Sequence, residues 1–92
     1  MDNIDLLLIE LNKKLNTEII ISEESKYMKT QYSFIPTEIT FNPEGLYISD
    51  KNNYYFWIKD IDKFELNVDD TGDCLEFSFR DYKQNRYYGI CL

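Results

Sequence analysis

The chain has 92 residues, with seventeen acids against ten bases, no histidine and a net charge of −7 at pH 7. That length makes a single domain, 1–92, and 43% apolar with 16% aromatic residues supplies a core dense enough to exclude a disordered chain. The charge disfavours direct contact with nucleic acid or anionic lipid, and the missing histidine removes the commonest general base and metal ligand.

Residues 3–15 read as an amphipathic helix. Ile4, Leu7, Leu8, Leu11 and Leu15 recur at three- and four-residue steps and share one stripe. Asp2 or Asn3 can cap its start, Asp5 suits the positive end of the helix dipole, Lys13 and Lys14 suit the negative end, and Asn16 is a natural stop. Leu6 and Ile9 lie off the stripe, so the helix is expected to be covered on more than one side, by the sheet or by a partner such as a second copy; the chain is read as a monomer or weak homodimer. Asp2 and Asp5, with Glu10 breaking the apolar run, argue against a signal peptide or a membrane span.

The remainder reads as strands. Residues 17–22 form a β-branched run, and 31–35 a weaker strand ended by Pro36. Residues 38–41 and 46–49 flank Asn42-Pro43-Glu44-Gly45, where Pro43 presets the turn and Gly45 is expected to accept a positive φ. A second turn, 50–53, leads into 54–58. There the even positions fit a core face and leave Tyr55 and Trp57 outward, beside Tyr47. Either that strand is covered on both faces or it exposes an aromatic patch.

Residues 64–68, 75–80 and 86–91 alternate cleanly. Pairing Arg80 with Tyr87 sets Phe79 against Tyr88, Phe77 against Ile90 and Leu75 against Leu92, with all six on one face. Extending the logic backwards sets Val68, Leu66 and Phe64 against Leu75, Phe77 and Phe79. The predicted fold is α+β, an N-terminal amphipathic helix packed on an antiparallel β-meander sheet.

The opposite face carries Glu65, Asn67, Glu76, Ser78 and Arg80, with Asp60, Asp62, Asp69, Asp70 and Asp73 at its edges. Eight of the seventeen acids fall between Asp60 and Asp81, a stretch holding only Lys63 and Arg80 as bases. Acids on a sheet stand in rows at fixed spacing, a surface suited to cations that normally hold phosphates. The candidate partner-binding residues are therefore Asp60, Asp62, Glu65, Asp69, Asp70, Asp73 and Glu76, with Tyr55 and Trp57 as apolar anchors.

No catalytic or metal-binding residue is assigned, and no cofactor. Asp69-Asp70-Thr71-Gly72-Asp73 does not align with a calcium-loop pattern, and the three glycines form no phosphate-cradling loop. Cys74 and Cys91 lack an imidazole partner and sit diagonally across the predicted hairpin, a separation of roughly 7 Å that exceeds the usual disulfide span. They are predicted to be free thiols, which fits a reducing cytoplasm.

Eleven isoleucines, eight tyrosines, eight asparagines and no alanine suggest AT-rich coding, as in low-GC bacteria and their phages. In size, charge and order of elements, and in its opening Met1-Asp2-Asn3-Ile4-Asp5-Leu6-Leu7, the chain resembles the short acidic Cas9-inhibiting anti-CRISPR proteins of Gram-positive phages. That resemblance implies a non-enzymatic inhibitor in the host-cell cytoplasm, with carboxylates standing in for phosphates on a protein partner that has a basic nucleic-acid-binding surface. A second likeness lies in Glu38-Ile39-Thr40-Phe41, Gly45-Leu46-Tyr47-Ile48 and Tyr55-Phe56-Trp57-Ile58-Lys59-Asp60-Ile61, which resemble the strand grammar of bacterial PH-like domains and imply an interaction module without mimicry. Toxin immunity proteins share the same surface logic.

Overall fold

A computed structural model describes residues 2–92. The helix α1 spans Asn3–Lys13, and Asp2 caps it by accepting a 2.9 Å hydrogen bond from the backbone N–H of Asp5. Leu7 and Leu11 are buried, Ile4, Leu6 and Leu8 pack against the core, and Ile9 stays exposed. Cover on a second side therefore holds for Leu6 alone. Asn16 takes a positive φ just beyond the helix, and its N–H donates to the Pro36 carbonyl at 2.7 Å.

Eight strands follow: β1 Ile19–Glu24, β2 Lys29–Phe34, β3 Glu38–Asn42, β4 Gly45–Ser49, β5 Tyr55–Lys59, β6 Glu65–Asp70, β7 Leu75–Asp81 and β8 Arg86–Cys91. A 3-10 turn at Ile61–Lys63 joins β5 to β6. The fold is α+β and antiparallel throughout, and its strands form two sheets. One has five strands in the order β2-β1-β8-β7-β6; the other has three in the order β3-β4-β5. Pro36, which cannot donate to a ladder, breaks the meander between β2 and β3. Asp60, held left-handed at φ 55°, breaks it between β5 and β6. One core joins everything: Ile19, Ile21, Phe34, Phe77, Phe79 and Ile90 from the larger sheet meet Leu46, Ile48, Phe56 and Ile58 from the smaller one and the two helix leucines. At about 25 cal/mol per Å² of apolar area, each large side chain buried there contributes roughly 1.5–3 kcal/mol.

The β7–β8 register is the predicted one, with Arg80 opposite Tyr87, Phe79 opposite Tyr88 and Phe77 opposite Ile90, while Leu75 and Leu92 exchange two backbone hydrogen bonds. The β6–β7 register differs. Val68 pairs with Phe77 and Leu66 with Phe79, a slide of two residues from the expected pairing. The reason is the turn: β6 runs on through Asp70, and Thr71 and Cys74 close a tight loop in which Gly72 takes φ 89°. A two-residue slide preserves the face of every side chain, so the inner surface is the predicted one.

Gly45 serves a different purpose from the one expected. Its φ is not positive; a Cβ there would run into the Ile58 carbonyl oxygen, so the glycine permits β4 and β5 to approach. The turn is built instead by Asn42, whose side-chain oxygen accepts from the N–H groups of Glu44 and Gly45.

The two cysteines also depart from expectation, for Cys74 and Cys91 are joined in a disulfide. Cys91 does lie opposite Glu76, as the register required, and Cys74 is the diagonal neighbour. Sheet twist shortens one diagonal of each cross-strand pair, and Cys74 belongs to the turn rather than the ladder, so its Cα comes within 5.9 Å of its partner's. A bonded pair of this kind is no mark of a reducing compartment.

Candidate functional site

β6 is an edge strand, and its outward residues are Glu65, Asn67 and Asp69. Directly across on β7 stand Arg80, Ser78 and Glu76. Edge strands carrying outward charge resist pairing with other chains. Here the helix adds a further guard, because the Asn3 side-chain amide donates to the Leu66 carbonyl at 3.0 Å. Asp70 ends the strand, and Asp73 lies in the turn after it. Asp70 accepts from the Gly72 N–H at 3.0 Å, which fixes its carboxylate against the turn. Asp60 and Asp62 lie at the other end of β6, where the Asp60 N–H donates to the Glu44 carbonyl at 2.8 Å and ties this link to the β3–β4 turn.

The seven sequence-predicted acids string out along β6 but not on one face: Glu65, Asp69 and Glu76 point outward, Asp70 has the parity of Leu66 and Val68 at the strand's end, Asp73 lies in the turn, Asp62 lines a cleft with Leu66 and Phe79, and Asp60 abuts the β3–β4 turn. At about 3.3 Å per residue the strand is roughly 17 Å long. Neutralisation is slight. Among the described residues, the only base within ion-pair distance of the line is the exposed Lys63, 3.9 Å from Asp60. Arg80 faces Glu65 in the ladder but lays its guanidinium over the Tyr87 ring, 5.0 Å from the centroid. The Tyr87 hydroxyl donates to Glu76 at 3.3 Å and contacts the Ser78 hydroxyl at 3.2 Å, so Glu76 is held without a cation.

Asp81, the last acid of the rich stretch, does not join the line. It is buried and pairs with Arg86 at 2.8 Å, and it also accepts from the N–H of Lys83 and of Gln84. The Arg86 hydrogen bond holds the Asp81 carboxyl below the usual range, against the opposing effect of burial. Arg86 in turn stacks over Phe64 at 4.9 Å. This group clamps the β7–β8 turn.

Tyr55 and Trp57 stand on the other sheet. The β5 strand buries Phe56 and Ile58 and turns Tyr55 and Trp57 outward, so the aromatic patch is exposed and the alternative of cover on both faces is ruled out. Tyr47 stacks on Trp57 with ring centroids 4.8 Å apart and planes 18° from parallel, and Tyr55 lies 6.3 Å from Tyr47. The rings and the acid line therefore occupy different sheets, each turned away from the shared core. Strand alternation tells only which side chains point out of a sheet, so it does not separate the two surfaces.

Among the described residues no group of three or more cysteines and carboxylates could hold a metal ion, and no helix is long and apolar enough to cross a membrane. Both thiols are bonded to each other, and the chain has no imidazole. No protein family, curated protein or solved structure matches the chain, so the geometry of these two outward faces is the ground on which its function is argued.

Proposed function

We propose that the protein is a non-enzymatic acidic inhibitor, in the manner of the anti-CRISPR proteins, that occupies the basic nucleic-acid-binding surface of an effector or nuclease in the cytoplasm of a bacterial host. The observation that carries this reading is the β6 acid line: among the described residues, no base lies within ion-pair distance of Asp62, Glu65, Asp69, Asp70, Asp73 or Glu76. Leaving that much like charge together lowers stability, and a cationic partner would relieve it. Charge complementarity of this kind speeds association and weakens with added salt.

The test is a pull-down of basic nucleic-acid effectors, including a Cas9-type nuclease, at low and physiological salt. Wild-type protein should capture and inhibit its target in a salt-dependent manner, and the variant with Asp69, Asp70 and Asp73 all changed to Asn should lose inhibition. Undiminished inhibition by that variant refutes mimicry. A second reading, an interaction module whose contact surface is aromatic, is favoured by the exposed Tyr47–Trp57 stack. It requires Trp57→Ala to abolish partner capture while the acidic substitutions leave it intact.

A further inference from the structure

The outward face of the smaller sheet is laid out by its register. Thr40, Tyr47 and Trp57 stand side by side across β3, β4 and β5; Glu38, Ser49 and Tyr55 form the row on one side, and Asn42, Gly45 and Lys59 the row on the other. The 4.8 Å between the Tyr47 and Trp57 centroids equals the spacing of adjacent strands, so the stacking axis runs across the sheet. Both rings therefore stand upright. Lys59 Nζ lies over Trp57, 5.9 Å from its centroid, and Tyr47 covers one face of that ring. The remaining face of Tyr47 looks towards β3, over the short side chain of Thr40.

That space is an open cleft of about 600 Å³, walled by Tyr47 and Tyr55 and flanked by Glu38 and Glu44. Every ionisable group lining it is an acid or a phenol. Burial and the field of Glu44 push the Tyr47 hydroxyl up from its usual range, consistent with a negative potential there.

We propose that this cleft receives an arginine side chain from an extended basic segment of a protein partner. The guanidinium plane stacks on the free face of Tyr47 above Thr40, and Glu38 and Glu44 accept its N–H groups. Arginine suits the slot because its charge is spread over a flat group that lies against a ring while its edge meets carboxylates. Trp57 already holds the cationic end of Lys59 in this manner within the chain. A saccharide could also stack on Tyr47 and donate hydroxyls to the carboxylates, but only a cation also gains from their summed negative charge. The proposal is independent of the β6 acid line, which lies on the other sheet.

Trp57 is the single tryptophan and touches Tyr47, so its fluorescence reports directly on the cleft. The probe is the peptide acetyl-(Gly-Arg)₃-amide, titrated against the full chain beside the same peptide with citrulline, which keeps the shape and loses the charge. The arginine peptide should change Trp57 emission saturably and the citrulline peptide should not. Exposed Glu38 and Glu44 changed together to Gln should weaken binding at least about fivefold, whereas the Asp69, Asp70, Asp73 to Asn variant should bind within about twofold of wild type, because exposed distant charges are screened. Equal binding of the citrulline peptide, full binding by the Gln variant, or a response to cello-oligosaccharides in place of the arginine peptide overturns the proposal. Loss of effector inhibition in the Asn variant with peptide binding retained would separate this site from the acid line.

Discussion

The outward faces of the two sheets begin from the same strand alternation and meet different fates. Across β4 and β5 the outward neighbours attract: Tyr47 and Trp57 stack, and a pair of this kind contributes about 0.5–1.5 kcal/mol beyond burial. Across β6 and β7 they are mixed: Glu65 faces Arg80, but at the turn end Asp69 stands directly opposite Glu76 and repels it. One face is held together by its surface rings, while the other carries a repelling pair beside its disulfide and the Arg80–Tyr87 contact. Both are carried by one core, so inward packing decides the fold and leaves the outward residues free to answer other demands.

The largest effect that could break this comparison is in the core. Phe77→Ala, on the larger sheet, should lower stability by about 3–5 kcal/mol, as for other buried phenylalanines. In urea, the loss should be seen equally by Trp57 fluorescence on the smaller sheet and by far-UV circular dichroism. Separate transitions would mean that the sheets are independent units. Removing the Cys74–Cys91 bridge, with reductant or by changing both to Ser, should destabilise by roughly 2–3 kcal/mol, since it closes a loop with a sequence separation of 17. The same urea titration measures it.

A pH series probes the clamp on the larger sheet. The Asp81 carboxyl is depressed in the folded state, so its contribution is present above the ordinary carboxylate range and is lost as pH falls through its own lower value. Asp81→Asn should be less stable at neutral pH and should lose less on acidification than the wild type. If both lose equally, other carboxylates govern the acid limb. On the smaller sheet, Tyr47→Ala should lose about 1 kcal/mol from the stack. Least of all, the triple Asn variant at 69, 70 and 73 should gain a few tenths of a kcal/mol, more in low salt than in high. A clear loss instead would show that these carboxylates hold the turn together.

The helix, the final hairpin's register and the whole inner face were legible in the sequence, because each rests on local periodicity and a core that punishes a one-residue slip. Outwardness of Tyr55 and Trp57 followed from the same parity. What was not legible depended on encounters between distant segments. No local signal marks β1 as the neighbour of β8, or Arg86 as the partner that takes Asp81 out of the acidic tally. The disulfide escaped because flat-sheet distances ignore twist. Gly45 was read as a turn residue when its role is to let the Ile58 backbone come close. The outward direction of Glu65, Asp69 and Glu76 follows from strand parity; their separation from the rings does not, since that depends on where Pro36 and Asp60 divide the meander.

The pairing of Ile20 with Cys91 and Ile21 with Ile90 has a kinetic consequence. The β1–β2 hairpin can form early, but its other edge stays bare until residues some seventy positions later reach it, and such distant closure is slow. Throughout synthesis Ile19 and Ile21 lack the aromatic layer that will cover them, leaving a sticky ribbon with an open flank. The lysines and glutamates near its tip, Glu23, Glu24, Lys26 and Lys29, are placed to keep that ribbon from joining its own copies while it waits.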